Sequence, residues 1–224
     1  MEIGVPAYEQ LRDLLREEII SGVIPPDTHL TILGVAKRFG VSHMPVREAF
    51  QWLQGEGLLK VMPHRGAYVL SLTNDYVRDI YELRGIIAGL LARQSLSYLK
   101  PAMLVKLGKI HTRFCDAAKQ NNLDKLMSLN NSFHENIYML GRNREAKRTY
   151  KLYAGLLGTL RGKYGIQSVR LEKMMEEHAE ILKALHAKDE ILVEKLVRLH
   201  GEGAMKDILS MMEKKENPDK DRIL

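Results

Sequence analysis

The stretch Thr31-Ile32-Leu33-Gly34-Val35-Ala36-Lys37-Arg38-Phe39-Gly40-Val41-Ser42-His43-Met44-Pro45-Val46-Arg47-Glu48-Ala49-Phe50-Gln51-Trp52-Leu53 decides the fold of the first third of the chain. Thr31 can cap a short helix whose apolar residues are Leu33, Val35, Ala36 and Phe39, and Gly40 closes it. Ser42 then caps a second helix, Pro45 is tolerated in its first turn, and Val46, Ala49, Phe50 and Leu53 form its apolar face up to Gly55. Before this unit, Leu11, Leu14, Leu15, Ile19 and Ile20 make an amphipathic stripe over Ala7–Ser21, which Ser21-Gly22 and the turn Ile24-Pro25-Pro26-Asp27 bring to an end. After it, Leu58–Met62 and Ala67–Leu72 are short β-prone runs around Pro63-His64-Arg65-Gly66, the pattern of a hairpin. Helix, turn, helix and hairpin in that order predict a winged helix–turn–helix.

From Asn74 onward strand signals vanish. Long amphipathic segments follow at about Asn74–Leu99, Pro101–Gln120, Asp124–Leu140, Arg144–Lys163, Val169–Ala187 and Asp189–Glu213. Their punctuation is Lys100-Pro101, Asn121-Asn122, Gly141-Arg142-Asn143, Gly165 and Lys188-Asp189. Short connections between long helices predict an antiparallel bundle of six. The expected fold class is therefore mainly α: a winged helix–turn–helix over 1–72, an all-α bundle over 73–215, and a charged tail over 216–224, where Pro218 predicts fraying.

The composition is that of an ordinary globular protein: 224 residues, 45% hydrophobic, 28% charged and a net charge of +6. Disorder and collagen are excluded, and no apolar run approaches the ~20 residues of a membrane span. Before Thr73 there are 7 basic and 8 acidic residues, so the excess of the 34 basic over the 28 acidic residues lies in the second part. Net charge alone therefore does not locate a DNA-binding surface. The single cysteine, Cys115, cannot form an intrachain disulfide, and Met1–Gln10 lacks the basic-then-apolar build of a secretory signal, so a cytoplasmic protein is expected. Cys115 reads as a small buried residue, and Met174-Met175 and Met211-Met212 as adaptable packing.

In a winged helix–turn–helix the second helix offers its N-terminal side chains to base edges in the major groove. Here those are Ser42, His43, Met44 and Arg47, and Arg47 can pair bidentately with guanine or hold a phosphate. The wing carries His64, Arg65 and Gly66, within reach of the backbone or minor groove. The plainer alternative makes Arg47 a solvated residue paired with an acid.

The segment Val41–Phe50, with Leu53, Glu56-Gly57-Leu58 and His64-Arg65-Gly66-Ala67-Tyr68-Val69, resembles the GntR family of bacterial transcription regulators over about residues 7 to 72. The resemblance implies operator contacts at Ser42, Arg47, His64, Arg65 and Gly66, and also at His43 and Met44; in the family the position of His43 is usually arginine, and that of Leu33 often polar or basic. The bundle resembles the FCD effector domain of the FadR-like subfamily, its six-helix count the VanR-type branch.

Spacing singles out four residues in the bundle. Asn130 and His134 are four apart on one helix face. His178 lies about nine residues before the Ala187–Asp189 turn and His200 about eleven after it, so at 1.5 Å per residue both stand roughly 13 to 17 Å from the turn and can face each other. Three imidazoles from three helices make a transition-metal site, zinc or nickel first among the candidates, or else are ordinary satisfied histidines. The resemblance favours the metal, because Phe133-His134, Glu177-His178-Ala179-Glu180 and His200 match the metal-binding FCD pattern, with Asn130 where many members have aspartate. A carboxylate effector would fit an open metal position, with Arg84 and Arg170 as cations and Tyr81 and Tyr164 as hydrogen-bonding walls.

The leading functional reading is a regulator that binds a palindromic operator as a homodimer and answers to a small organic acid. A three-histidine metalloenzyme is the alternative; against it, Glu177 and Glu180 point off the His178 face and supply no evident general base, and no HExxH or nucleophile elbow is present. A third reading, a helical interaction module, predicts no sequence-selective DNA affinity.

Overall fold

The computed structural model describes residues 5–70, 72–120 and 122–216. The chain divides into two compact units: Met1–Thr73 with Gly155–Lys163, and Asn74–Ala154 with Tyr164–Leu224. The expected fraying tail lies outside the described residues, except for Glu216, which ends the last helix.

The first unit runs α1 (Ala7–Ser21), β1 (His29–Leu30), α2 (Ile32–Phe39), α3 (His43–Gly55), β2 (Leu59–Met62) and β3 (Gly66–Val69). Gly22 ends α1 and Gly40 ends α2, both left-handed at φ 86° and 65°, and the Thr31 hydroxyl caps α2 by accepting from the Gly34 amide at 3.0 Å. Leu11 and Leu15 of α1, Val46, Phe50 and Leu53 of α3, and Leu59, Ala67 and Val69 of the sheet are almost without solvent access, with α3 packed on both α1 and β2. Each such aliphatic or aromatic side chain contributes about 1.5–3 kcal/mol.

Three features depart from the sequence reading. The wing has three strands, in the order β1-β3-β2 and antiparallel throughout, with His29 opposite Tyr68 and Leu59 opposite Val69. β1 has two residues, too few for any alternation to show. Leu33 and Leu14, expected on apolar faces, are exposed, Leu33 by 68%. Gly66 has φ 94°, and a Cβ there would sit 2.2 Å from the Leu30 carbonyl oxygen, so the approach of β1 to β3 depends on glycine.

The second unit contains α4 (Asn74–Ser95) with a 3₁₀ turn at Leu96–Tyr98, α5 (Pro101–Lys119), α6 (Leu123–Tyr138), α7 (Arg144–Tyr164), α8 (Ser168–Ala187) and α9 (Glu190–Glu216); the span Gly155–Lys163 of α7 groups with the first unit. Side-chain oxygens of Asn122, Asn143 and Asp189 accept from the amides of Lys125, Ala146 and Leu192 at 3.0, 2.9 and 2.9 Å, capping α6, α7 and α9. Lys188, left-handed at φ 53°, turns α8 into α9. Phe114, Phe133, Leu91, Leu107, Ile137, Ile181 and Leu185 form the core. α4 packs on α9 through glycines: a Cβ on Gly201 would lie 3.8 Å from Gly85 Cα, and one on Gly89 would meet Arg198 Cγ at 3.0 Å and the Glu194 carbonyl at 3.2 Å. Among the described residues no helix is long and apolar enough to cross a membrane.

Candidate nucleic-acid interface and metal centre

Ser42 precedes α3 in extended backbone (φ −73°, ψ 171°) and makes no side-chain capping bond. Ser42, His43, Met44 and Arg47 are all exposed at this helix start. Arg38 pairs with Glu18 at 2.8 Å, Arg16 with Asp13 and Glu56, and Arg12 with Asp13 at 2.8 Å, whereas Arg47 makes no ion pair among the described residues. The pairing with an acid considered from sequence is not found. In the wing, His64 is left-handed at φ 60° and exposed, as is Arg65. The Arg65 carbonyl lies 2.5 Å from His29 Nε2, and the His29 ring stacks on Tyr68 at 4.6 Å, so β1 pins the wing tip. His29 carried no signal in the sequence, because its partner is 36 residues away. Gly66 is buried, and its part is to shape the wing.

The bundle brings His134 of α6, His178 of α8 and His200 of α9 together, one ligating nitrogen from each lying within 4.8 Å of the others. His134 Nε2 is 3.0 Å from His200 Nε2, and the His178 ring is centred 5.1 Å from His134 and 4.9 Å from His200. All three are buried, His178 completely. The His178 ring lies flat on Phe133 at 4.3 Å, and neither of its nitrogens has a hydrogen-bond partner; one turn before His134, the Asn130 amide oxygen is also buried and unpartnered. Burial, reinforced by the neighbouring histidines and arginines, pushes His134 and His178 well below the ordinary imidazole value; burial also lowers His200, although Glu177 opposes it. Neutral imidazoles are the form that ligates metal.

Outer contacts orient two of the three rings. The Glu177 carboxylate is 2.6 Å from His200 Nδ1 and accepts a hydrogen bond from it, which turns the Nε2 lone pair of His200 towards His134 Nε2, 3.0 Å away. The Tyr138 hydroxyl is 3.0 Å from His134 Nδ1 and orients that ring in turn. Orphaned donors, neutral rings and a carboxylate–histidine pair together fit a divalent transition metal held by His134, His178 and His200.

Two arginines face this cluster. Arg170 is buried, bonds both Glu177 oxygens at 2.6 and 2.7 Å, and donates to the His200 carbonyl at 3.0 Å. It serves the histidine shell directly, and its guanidinium rests on Gly203, where a Cβ would come within 2.7 Å of it. Arg84 has no carboxylate partner among the described residues. Its Nη2 donates to the Tyr150 hydroxyl at 2.7 Å, its guanidinium lies 4.6 Å over that ring, and its Nε is buried without a partner. Burial works against its charge, and the phenols of Tyr150, Tyr81 and Tyr138 more than offset this. Tyr138 and Tyr150 meet edge-on at 4.9 Å, which links Arg84 to His134 through two phenols. Tyr81 is buried; Tyr164 ends α7, half-buried.

The sequence reading missed Glu177, Tyr138 and Tyr150. Glu177 does point off the His178 face, but onto His200 of the next helix. Its seven-residue spacing from Arg170 and the i,i+4 spacing of Tyr138 from His134 were the available signals. Cys115 is half-buried, 3.7 Å from His111 Nε2, and burial raises its thiol. Met174 and Met212 are buried as packing.

Comparison with known proteins agrees with both halves. Residues 7–69 match the family described as bacterial regulatory proteins, gntR family, and residues 79–203 match the FCD domain. The HTH-type transcriptional repressor RspR of Escherichia coli K12 is 28% identical over 195 residues, covering 87% of this chain and 86% of that protein. The gluconate operon transcriptional repressor of Bacillus licheniformis is 27% identical over 191 residues, covering 80% and 75%. Among solved structures, E. coli McbR/YncC superposes with a TM-score of 0.67 at 20% identity, over 94% of this chain and 99% of that one, which shows a shared fold.

Proposed function

Because the chain belongs to the GntR family of bacterial regulatory proteins and carries an FCD domain, we propose that it is a transcriptional repressor that binds a palindromic operator as a homodimer in the cytoplasm. We further propose that it answers to a small carboxylate effector held beside a metal in its helical domain. The family and the relatives point to a regulator and away from the enzyme alternative. The six α-helices of the second unit support a place in the VanR-type branch.

The observation that carries the DNA reading is Arg47, exposed and without an ion pair among the described residues at the start of α3, whereas Arg12 and Arg16 of α1 and Arg38 of α2 each pair with an acid. Arg47 reads guanine or grips phosphate, Ser42 and His43 bond phosphate or base edges, and His64 and Arg65 extend the contact from the wing. Leu33 and Met44, 68% and 62% exposed, offer apolar surface that suits thymine methyl groups.

In the bundle, His134, His178 and His200 would hold a divalent transition metal, zinc or nickel, with Asn130 as a fourth oxygen donor. When bound, the metal supplies an open position for a carboxylate oxygen. Arg84 is the residue that recognises the effector's charge, since a half-buried cation whose Nε is unpartnered and which has no carboxylate of its own gains most from a bound anion. Tyr150 and Tyr81 orient Arg84, and Arg170 with Glu177 holds His200 in place. Effector binding alters operator affinity to the extent that it favours one state of the protein, and about 1.4 kcal/mol of coupling gives a tenfold change.

The test is operator selection from random duplex DNA, followed by fluorescence anisotropy across a salt series and elemental mass spectrometry of the untagged protein beside His178→Ala. A palindromic consensus, a steep salt dependence and near-stoichiometric metal lost in the mutant are expected. DNA binding without sequence selectivity would overturn the regulator reading. Protein that stays metal-free after incubation with zinc and nickel would overturn the metal.

A further inference from the structure

Among the described residues, the group close enough to share an ion consists of His134, His178 and His200, and no carboxylate joins it. The Asn130 amide oxygen, one turn before His134, is buried and accepts from no donor, so it remains free to turn to an ion. An amide oxygen ligates through its dipole alone, whereas an aspartate of the same shape would bring a full negative charge. Every donor that the chain offers at this site is therefore neutral.

The surroundings are positive before any metal arrives. Glu177 touches His200, but Arg170 bonds both of its oxygens, at 2.6 and 2.7 Å, so its charge is already answered. Arg84 has no carboxylate partner among the described residues; it leans on the Tyr150 hydroxyl at 2.7 Å, and its Nε is buried without a partner. A divalent ion at the rings adds two positive charges to an interior that already holds this guanidinium. Like charges repel more strongly in a protein interior than in water, and burying uncompensated charge is unfavourable. With no carboxylate among the protein ligands, the neutralising charge has to come from outside.

We propose that Asn130 makes metal and acid binding at this site interdependent: the chain alone holds a divalent ion weakly, and holds it tightly once an organic carboxylate is bound between the ion and Arg84. The inference rests on the metal and effector reading above and deepens it. Linkage is reciprocal, so the ion raises the affinity for the acid by the same factor as the acid raises the affinity for the ion. The protein then answers to the two together. An aspartate at position 130 would instead keep the ion in place whatever the supply of acid, and the metal would become a fixture of the fold.

The test takes zinc as the metal probe and acetate as the carboxylate probe. The untagged full chain is titrated with zinc against a chromophoric chelator in sodium acetate and in sodium perchlorate of equal ionic strength and pH, with the chelator calibrated in each. The wild type is expected to hold zinc at least tenfold more tightly in acetate. Asn130→Asp is expected to bind zinc at least tenfold more tightly than the wild type in perchlorate, and to gain less than threefold from acetate. Asn130→Ala, which lacks the oxygen but is equally neutral, is expected to bind more weakly in both salts and to keep the tenfold gain. Circular dichroism checks the fold of each variant, and the comparison of salts on the wild type needs no variant at all. Equal wild-type affinities in the two salts would overturn the interdependence and leave the metal site standing. An acetate gain undiminished in Asn130→Asp would overturn the part assigned to Asn130. Wild type that binds zinc in neither salt would overturn the metal reading and this inference together, while the operator assay would still decide the repressor reading separately.

Discussion

Arg47 and His178 stand at opposite extremes of solvent exposure. Arg47 projects from the second turn of α3 with no ion pair among the described residues, while His178 is completely buried, stacked on Phe133, with both nitrogens unpartnered. Each is unsatisfied, but for different reasons. An exposed guanidinium is fully hydrated, so leaving it unpaired costs the fold little and it remains available to a phosphate or a base. A buried imidazole without partners forgoes its hydrogen bonds, a penalty on the order of 1–3 kcal/mol that a bound ligand would relieve. The DNA-reading face should therefore be separable from stability, and the histidine cluster should not.

The sharpest challenge to that contrast is Gly66, which sits in the wing yet is as buried as the core. Gly66→Ala places a methyl 2.2 Å from the Leu30 carbonyl in a left-handed backbone, and a loss of about 3 kcal/mol or more is expected by chemical denaturation. A change under about 1 kcal/mol would show that β1 is dispensable to the wing. Next comes His178→Ala, expected to cost about 2–4 kcal/mol in the metal-free protein through the cavity it leaves. His178→Phe refills the ring space between Phe114 and Phe133 and should recover most of that stability while still losing metal by elemental analysis. If metal binding survives the phenylalanine, His178 is packing alone. Arg47→Ala tests the other side: operator affinity should fall about ten- to hundredfold at an unchanged melting temperature. A shifted melting temperature would mean that Arg47 belongs to the fold after all. The smallest effect falls to Met44. Replacing thymine by uracil in a selected operator should weaken wild-type binding a few-fold and leave Met44→Ala indifferent, as measured by anisotropy; equal losses in both proteins would remove Met44 from the contact.

The parts of this architecture legible in the sequence are those with local causes. Thr31 and Gly40 mark the two ends of α2 because a capping hydroxyl and a left-handed glycine act within a few residues of themselves. His134, His178 and His200 could be brought together on paper because helix rise and a short turn fix their heights. Glu177 could not be placed, since its partner is on another helix, and neither could the contact of Arg84 with Tyr150, 66 residues apart. β1 escaped for the same reason, its two residues being ordered by β3 rather than by their own pattern. The exposure of Leu33 shows the converse error: an apolar residue on a helix is not evidence of burial where the helix has a second surface to serve.

The tight turn at Lys188 has a consequence for what the chain tolerates in its length. His178 and His200 face each other because the helical residues on either side of that turn are counted from one fixed point. Adding or deleting a single residue between them would slide one ring by about 1.5 Å and swing it by about 100°. Most connections in a helical bundle absorb insertions without harm; this interval acts as a gauge, and a scan of one-residue insertions should find it closed to all of them.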